Sequence, residues 1–376
     1  MHSELTISKS AFAANVRVAC SLLRPGTKLC ASLKGNAYGH GLRELAPVAV
    51  ANGAVYIGVC TNAEVETAAE SLAAQGLSAP LLRLRPALPE EAEALQAQGL
   101  PVEELVGSWQ EALRLHALGE QLGRRIRVHV NLDSGMGRAG FYYKEPAAMA
   151  EMRKLVTLSG IEIVGLMTHF PCADAEDLTP TLVTFRDFMQ AVQTLKQESP
   201  AYRLARVHCA SSAMGLRCPE AQQDMVRFGA LLYGCRTSEY VPMPSGIQPV
   251  MRWRTKVVRV ADVAAGTPIG YGALYATPGR VRIATLPLGY GDGYPRQLTN
   301  KGVVLICGRR CPVVGRISLN VMTVAAPPEV EAGDEVVLLG CQGAECITAE
   351  ELGAAFGSVH TEVQMAGFYN TPIFVE

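Results

Sequence analysis

Short apolar runs alternate with longer amphipathic stretches along the first 235 residues of the chain. Most of the runs are five to eight residues long, which is typical of buried strands. The stretches between them repeat their apolar residues at helical spacing. Because strands that alternate with helices pair in parallel, this pattern predicts a parallel sheet with helical crossovers. The predicted strands cover residues 27–33, 55–59, 80–84, 105–106, 125–132, 161–168 and 206–210, with 227–234 as the last unit.

About eight strand–helix units precede residue 235. Eight units over this length favour a (β/α)8 barrel over an open sheet. A doubly wound sheet is the alternative, but no G-x-G-x-x-G follows the first strand. The fold class is therefore predicted as α/β, with a TIM-like barrel.

The pattern changes after residue 235. A proline-rich stretch, 239–250, leads into short strands separated by Gly and Pro turns, with one late helix at 348–355. This predicts a mostly-β C-terminal domain. We divide the chain into a barrel domain, residues 1–240, and a β-rich domain, residues 241–376. A first strand at about 4–8 can pair with the C-terminal domain.

Composition excludes several classes of function. The 376 residues carry a formal net charge of -1, which provides no basic face for nucleic acid and no polybasic membrane patch. No apolar run is long enough to span a bilayer, and the N-terminus has no apolar signal region. The 11 cysteines are scattered without C-x-x-C pairs, and Cys307 and Cys311, the closest two, have no further metal ligands nearby. We therefore predict reduced thiols, no metal and a cytoplasmic protein.

The stretch Lys34 to Gly41 (KGNAYGHG) is the strongest candidate for chemistry. Lys34 stands where a strand ends and a glycine-rich turn begins, so its amine would lie at the mouth of the sheet. A partly desolvated lysine can lose its proton and form a Schiff base. A surface lysine in a polar turn is the alternative for this motif taken alone.

Further polar residues follow other strands of the predicted barrel. Catalytic groups of such barrels lie at the carboxyl ends of the strands, so these residues would meet at one end. Taken alone, His169 would be a hydrogen-bonded structural histidine, Ser211 and Ser212 a helix cap, and Arg227 an ion-pair residue. The late loops at Ser212 and Gly229 are a common place for phosphate binding. The candidates are Arg138, His169, Ser211, Ser212 and Arg227.

A Schiff-base lysine beside a phosphate site suggests pyridoxal 5'-phosphate (PLP). A carboxylate at the pyridine nitrogen would keep that nitrogen protonated and make the ring a strong electron sink. A permanently charged arginine there would leave it unprotonated, which limits side reactions and favours simple removal and return of a proton.

At this point the chain resembles the PLP-dependent alanine racemases of fold type III, nearly from end to end. The resemblance includes the serine racemase domains of the vancomycin-resistance type. Lys34 to Gly41 is close to the K-A-N-A-Y-G-H-G of that family. Further matching motifs are DSGMGR at 133–138, THF at 168–170, HCASS at 208–212, MVRFG at 225–229, IGYG at 269–272, GYGDG at 289–293 and GRI at 315–317.

The resemblance implies a role for each matching position. Lys34 would bind PLP and act as one catalytic base, and Tyr271, reaching in from the partner subunit of a homodimer, as the other. Arg227 would face the pyridine nitrogen, Arg138 the phenolic oxygen and the substrate, and His169 would support the tyrosine. Phosphate-binding positions are Tyr38, Ser212, Gly229, Ala230 and Tyr369, and substrate-binding positions are Leu319 and Asn320.

Three positions depart from the family pattern. Asn131 stands where many members carry a carbamylated lysine, so a chloride or an amide hydrogen bond would replace the carbamate. Leu319-Asn320 replaces the usual Met-Asp pair, and Ser211-Ser212 the usual Asn-Ser pair. Asn320 supplies an amide donor where a carboxylate is usual, which favours a serine hydroxyl and disfavours long basic side chains.

The expected activity is therefore interconversion of L- and D-alanine by two-base proton transfer, with serine as a further substrate. The D-amino acid product is of the kind used as a peptidoglycan precursor. Alternatives are a serine racemase and a broad-specificity amino-acid racemase. Arg227 argues against a fold-type-III decarboxylase, which needs an acidic group at the ring nitrogen. A non-catalytic PLP carrier is the alternative from a different class, and it would leave residues 245–376 and Tyr271 without a purpose.

Overall fold

The computed structural model describes residues 3–376 and contains a nearly closed barrel of eight parallel strands. The strands are hydrogen-bonded in the order β8-β7-β6-β5-β4-β3-β2-β9. The amide of Arg227 donates to the carbonyl of Ala210 at 2.9 Å and links the two ends of this series. The predicted TIM-like barrel is thus confirmed. Its strands are β2 (Lys28–Ser32), β3 (Ala54–Val59), β4 (Leu81–Arg83), β5 (Val102–Val106), β6 (Ile126–Asn131), β7 (Ile161–Met167), β8 (Arg206–His208) and β9 (Met225–Phe228).

Helices connect these strands, and their starts follow from local capping. The hydroxyl of Ser8 accepts from the amide of Ala11 at the start of the first helix. Thr61 and Glu64 form a capping box at the start of the fourth. The barrel-domain helices are α1 (Lys9–Ser21), α2 (Lys34–Tyr38), α3 (Leu42–Ala51), α4 (Asn62–Ala73), α5 (Pro89–Ala97), α6 (Trp109–Leu122), α7 (Pro146–Leu155), α8 (Thr179–Glu198), α9 (Pro200–Arg203) and α10 (Ser212–Arg217).

The rest of the chain folds mainly into antiparallel strands. The largest sheet has the order β16-β15-β18-β10-β1-β20, with β19 paired to β18. β1 (Ser3–Ser8) runs antiparallel to β10 and parallel to β20, so the first strand of the chain lies in this sheet rather than in the barrel. The remaining elements are β10 (Met251–Lys256), β11 (Arg259–Val263), β12 (Pro268–Ile269), β13 (Tyr275–Ala276), β14 (Val281–Leu286), β15 (Val303–Ile306), β16 (Arg309–Pro312), β17 (Met322–Ala326), β18 (Glu335–Gln342), β19 (Glu345–Ile347), α11 (Ala349–Ala355), α12 (His360–Gln364) and β20 (Ile373–Val375).

One prediction about the cysteines is wrong. Cys341 and Cys346 form a disulfide, whereas we predicted that all thiols are reduced. The two residues are direct partners across the β18–β19 hairpin, which brings their side chains to the same face. The sequence prediction missed this hairpin, and without it a spacing of five residues gave no reason to pair them.

Within residues 3–376, no helix combines the length and apolarity that a membrane span requires.

Candidate active site

A cavity of about 340 Å³ opens at the carboxyl ends of the barrel strands. Its wall contains three cationic side chains, Lys34, Arg138 and Arg227, and one carboxylate, Asp174. The charge balance therefore suits an anionic ligand. Nine of the residues predicted from the sequence line this one cavity: Lys34, Tyr38, Arg138, His169, Ser211, Ser212, Arg227, Gly229 and Ala230.

Lys34 stands at the start of a left-handed turn. Gly35, Asn36, Ala37 and Tyr38 have φ values of 64°, 49°, 55° and 52°. Residues other than glycine rarely adopt this conformation, and a run of three of them stores backbone strain of about 1–2 kcal/mol each. Strain of this kind persists only where the surroundings hold the backbone in place. The lysine is therefore presented by a turn that the local sequence would not adopt alone.

The carboxylate of Glu64 holds this turn. Its Oε1 accepts from the amides of Gly35 at 2.6 Å and Asn36 at 3.1 Å. Its Oε2 accepts from the amides of Cys60 at 2.7 Å and Thr61 at 3.2 Å. One side chain thus joins the turn after β2 to the loop after β3, and the charge on the acceptor makes these bonds stronger than neutral ones. The side-chain oxygen of Asn36 also accepts from the amide of Leu42 at 2.8 Å.

Arg227 lies at the base of the cavity and is almost completely buried. Its guanidinium donates to the carbonyls of His208 and Thr168, at 2.8 and 2.7 Å. His169 lies 3.5 Å from the same guanidinium. Burial, together with the charges of Arg227, Arg138 and Lys34, lowers the pKa of His169 to about 3. His169 is therefore neutral in the described chain at neutral pH.

Two late barrel loops form a concave surface opposite Tyr38. Ser211 caps α10, and the hydroxyl of Ser212 accepts from the amide of Gly229 at 3.1 Å. A Cβ atom at position 229 would lie 3.0 Å from the Tyr38 hydroxyl. Glycine at this position therefore lets the Tyr38 hydroxyl lie close to the backbone. Small hydroxyl groups and backbone amides beside a helix N-terminus fit a phosphate.

The turn that carries Arg138 is fixed by two buried side chains. The Asp133 carboxylate accepts from the amides of Gly135 and Gly137, at 2.8 and 3.2 Å. The amide of Asn131 donates to the carbonyl of Ala139, the neighbour of Arg138, at 2.7 Å. Asn131 thus bonds the backbone next to Arg138, and its replacement of a carbamate stays a prediction.

The other four predicted site residues do not line this cavity. Tyr271 is 71% exposed, Leu319 52% and Tyr369 62%, and Asn320 is also exposed. The loop of Tyr271 lies against Gly315 and Arg316, which precede Leu319. Tyr271, Leu319 and Asn320 therefore belong to one exposed part of the β-rich region, separate from Lys34 within one chain.

The cavity also has residues that the sequence did not reveal. Four such residues line it: Asp174, Thr237, His360 and Thr361. Asp174 lies in a loop, Thr237 follows the last barrel strand, and His360 and Thr361 belong to α12. Glu64 was visible only as the fourth residue of T-x-x-E, a capping signal. Nothing in that signal shows that its carboxylate also reaches the turn after Lys34, because this contact depends on the pairing of β2 with β3.

Fold and site together define a class: a protein with a (β/α)8 barrel and a β domain whose cavity suits a phosphate-bearing ligand. Two family models extend this assignment. "Alanine racemase, N-terminal domain" matches residues 7–237, and "Alanine racemase, C-terminal domain" matches residues 250–369. The chain belongs to the alanine racemase family. Enzymes of this family are PLP-dependent isomerases, so the expected cofactor and enzyme class are confirmed.

Individual relatives agree with this assignment over nearly their whole length. An alanine racemase of Syntrophobacter fumaroxidans is 38% identical over 365 residues, 96% of this chain and 94% of the relative. A broad specificity amino-acid racemase of Pseudomonas taetrolens is 36% identical and covers 94% of this chain and 86% of its own. The crystal structure of alanine racemase from Bacillus anthracis with bound L-Ala-P has a TM-score of 0.87 at 28% identity, and the match covers 100% of this chain and 95% of that one.

Proposed function

We propose that this chain is an amino-acid racemase that interconverts L- and D-alanine and also accepts serine. The observation that carries the proposal is Lys34, held on a strained turn at the wall of a cavity whose other charges are mainly positive. The family assignment supports alanine as the main substrate.

The residues present fit PLP. Lys34 would hold it through a covalent bond to its amine, and Ser212, Gly229, Ala230 and Tyr38 would surround its phosphate. The bound cofactor supplies an electron sink that acidifies the α-hydrogen of the amino acid. The guanidinium groups of Arg138 and Arg227 match the negative charge of such a ligand and of a substrate carboxylate.

Racemisation needs one base on each face of the reacting carbon. We assign Lys34 to one face and the partner subunit's Tyr271 to the other. Tyr271 is 71% exposed and lies outside the cavity of its own chain, which supports its use across an interface. Large apolar side chains are exposed on the same region, as expected for a surface that is covered in a dimer: Leu274, Tyr290, Leu319 and Val321. Tyr369 is assigned to the phosphate and Leu319 and Asn320 to the substrate.

Arg227 and Arg138 have separate electrostatic roles in this scheme. Arg227 keeps a fixed positive charge at the base of the cavity and would so keep the cofactor's ring nitrogen unprotonated. Arg138 would bind the phenolic oxygen of the cofactor and the substrate carboxylate. His169, which is neutral, supports the tyrosine hydroxyl without competing for the α-proton.

A broad-specificity racemase is the second candidate. The Pseudomonas taetrolens relative with that name is 36% identical, nearly as similar as the alanine racemases.

A cytoplasmic location is part of the proposal and is supported by the nine free cysteines, with the Cys341–Cys346 pair as an exception. The division of the chain into domains 1–240 and 241–376 is also part of the proposal.

The decisive experiment is a racemisation assay of the PLP-loaded protein with L-Ala, L-Ser, L-Lys and L-Arg in parallel. We expect the highest kcat/KM with alanine, measurable turnover of serine and little of the two basic amino acids. Lys34→Ala, which keeps the cavity but removes the amine, is the matched control and should be inactive. Faster turnover of lysine than of alanine would favour the broad-specificity candidate, and no turnover of any of the four would refute the proposal.

A further inference from the structure

A continuous row of hydrogen bonds runs through the barrel interior beneath Arg227. Nδ1 of His208 lies 2.9 Å from the guanidinium of Arg227. Nε2 of His208 lies 2.7 Å from Nδ1 of His129. Nε2 of His129 lies 2.6 Å from the carboxylate of Glu103. These four residues come from β9, β8, β6 and β5, and each is at most 7% exposed.

The two ends of the row determine where its protons are. An arginine can only donate, so Nδ1 of His208 must accept and Nε2 must carry the hydrogen. That hydrogen points to Nδ1 of His129, which therefore accepts, and the Nε2 hydrogen of His129 points to Glu103. A carboxylate can accept at this end, so all three hydrogen bonds run in one direction, from Arg227 to Glu103.

Burial favours the uncharged form of both rings. It lowers the pKa of His208 well below its usual value, and the guanidinium charges of Arg227 and Arg206 act in the same direction. Burial also lowers the pKa of His129, although the hydrogen bond to Glu103 opposes the shift. Two neutral imidazoles therefore separate one buried cation from one buried anion.

Glu103 remains ionised despite its burial. Burial alone would raise its pKa, but the hydrogen bond from His129 and the charge of Arg127 outweigh it, and the net shift is downward. Arg127 lies 3.0 Å away and is 43% exposed, so water screens much of its charge. Arg227 is only 7% exposed, and the groups that bond its guanidinium, the His208 ring and two backbone carbonyls, are neutral.

The fold makes room for this row. A Cβ atom at Gly165, on the strand next to β6, would lie 2.0 Å from Nδ1 of His129. Any other residue at position 165 would displace the ring nitrogen that accepts from His208. The β6–β7 pairing also shifts register between Val128 and His129. Glycine and bulge therefore position one particular ring, which a purely apolar barrel core would not require.

We propose that Glu103 is the counter-charge of Arg227 and that His129 and His208 are positioning residues that connect the two. The buried guanidinium would otherwise lack ionic compensation, which is costly in a barrel interior. The connection also leaves the face of Arg227 towards the cavity free, because the anion approaches from the opposite side. The catalytic consequence of this inference rests on the proposed function, whereas the protonation pattern of the two histidines does not.

The protonation pattern can be measured directly in the PLP-loaded protein. The chain has only 7 histidines, so selective 15N labelling gives a simple spectrum. Long-range 1H–15N correlation, with His129→Asn and His208→Asn spectra for assignment, should show His129 and His208 as neutral rings with hydrogen on Nε2. An imidazolium, or a ring with hydrogen on Nδ1, at either position would overturn the proposal. This measurement needs no activity, so a chain that racemises nothing would refute the proposed function and leave this test intact.

Glu103→Gln tests the charge while keeping the shape of the side chain. Glu162→Gln is the matched control, because Glu162 is an exposed acid near the same Arg127, 3.8 Å away. We expect kcat to fall about 10- to 100-fold in Glu103→Gln, the factor for a hydrogen bond to a charged group, with KM little changed. The ratio of transamination to racemisation should rise, because Arg227 would control the ring nitrogen less well. Equal kcat, side-reaction ratio and ring protonation in the two variants would refute the role of Glu103.

Discussion

His40 gives a sharp prediction about stability and pH. Its ring is fully buried, packs 4.6 Å from the ring of Tyr233 and has Nδ1 within 3.1 Å of the carbonyls of Ala37 and Tyr38. Nε2 has no hydrogen-bond partner among the described residues. Burial therefore lowers the pKa of His40 from 6.5 to about 4, although the two carbonyls oppose the shift.

The sign and size of the effect follow from linkage. The unfolded chain binds a proton at His40 below pH 6.5, whereas the folded chain resists protonation until about pH 4. The contribution of the neutral His40 ring to the free energy of unfolding is therefore fully present above pH 6.5 and is lost progressively as the pH falls. At pH 5 the loss is 1.5 pH units at about 1.4 kcal/mol per unit, or about 2 kcal/mol.

His40→Asn isolates this contribution, because the asparagine amide can still donate to the two carbonyls but does not titrate. At pH 7.5 we expect the variant to be less stable by about 1–3 kcal/mol, since it loses the ring packing against Tyr233. At pH 5 the gap should shrink by about 2 kcal/mol, because only the wild type is penalised. Urea unfolding of both proteins at both pH values measures this, and the other histidines cancel in the difference. A gap that stays constant or widens at pH 5 would refute the reasoning.

Four further outcomes test the site. Borohydride reduction of the PLP-loaded protein should label the Lys34 peptide, and a label on another lysine would contradict the assignment. Heterodimers of Lys34→Ala and Tyr271→Phe subunits should recover activity at one of their two sites, whereas inactive heterodimers would argue against sharing. Glu64→Gln should weaken PLP binding about 10- to 100-fold in a spectroscopic titration, because a charged acceptor of four amides is lost, with unchanged binding in Glu66→Gln as the control. Asn320→Asp should lower kcat/KM for serine more than for alanine, and equal effects would exclude the proposed hydrogen bond to serine.

The barrel and most of its cavity were predictable because their rules are local and repetitive. Strand–helix alternation sets the parallel sheet, and the carboxyl ends of parallel strands meet at one end. Lys34, Arg138, His169, Ser212 and Arg227 each follow or end a strand, so the cavity could be anticipated without any knowledge of side-chain contacts.

Contacts between distant elements were not predictable in the same way. The row from Glu103 to Arg227 needs four strands to be adjacent or opposed inside the barrel, and alternation of apolar and polar residues does not specify which polar groups meet. Cys341 and Cys346 needed the register of a short hairpin that the sequence did not reveal. The exposure of Tyr271 only becomes informative once the cavity of its own chain is known to exclude it.

The placement of acidic residues explains how the Lys34 amine and the guanidinium groups of Arg138 and Arg227 remain available in one cavity. Glu64 accepts from the backbone of the Lys34 turn, and Asp133 from the backbone of the Arg138 turn. Glu103 reaches Arg227 only through two imidazoles. In each case the carboxylate fixes the position of the basic group without forming a direct ion pair with it. Direct pairing would have favoured the charged form of the Lys34 amine and shielded the guanidinium charges of Arg138 and Arg227. The indirect arrangement therefore combines precise positioning with an amine that can react and a positive potential in the cavity.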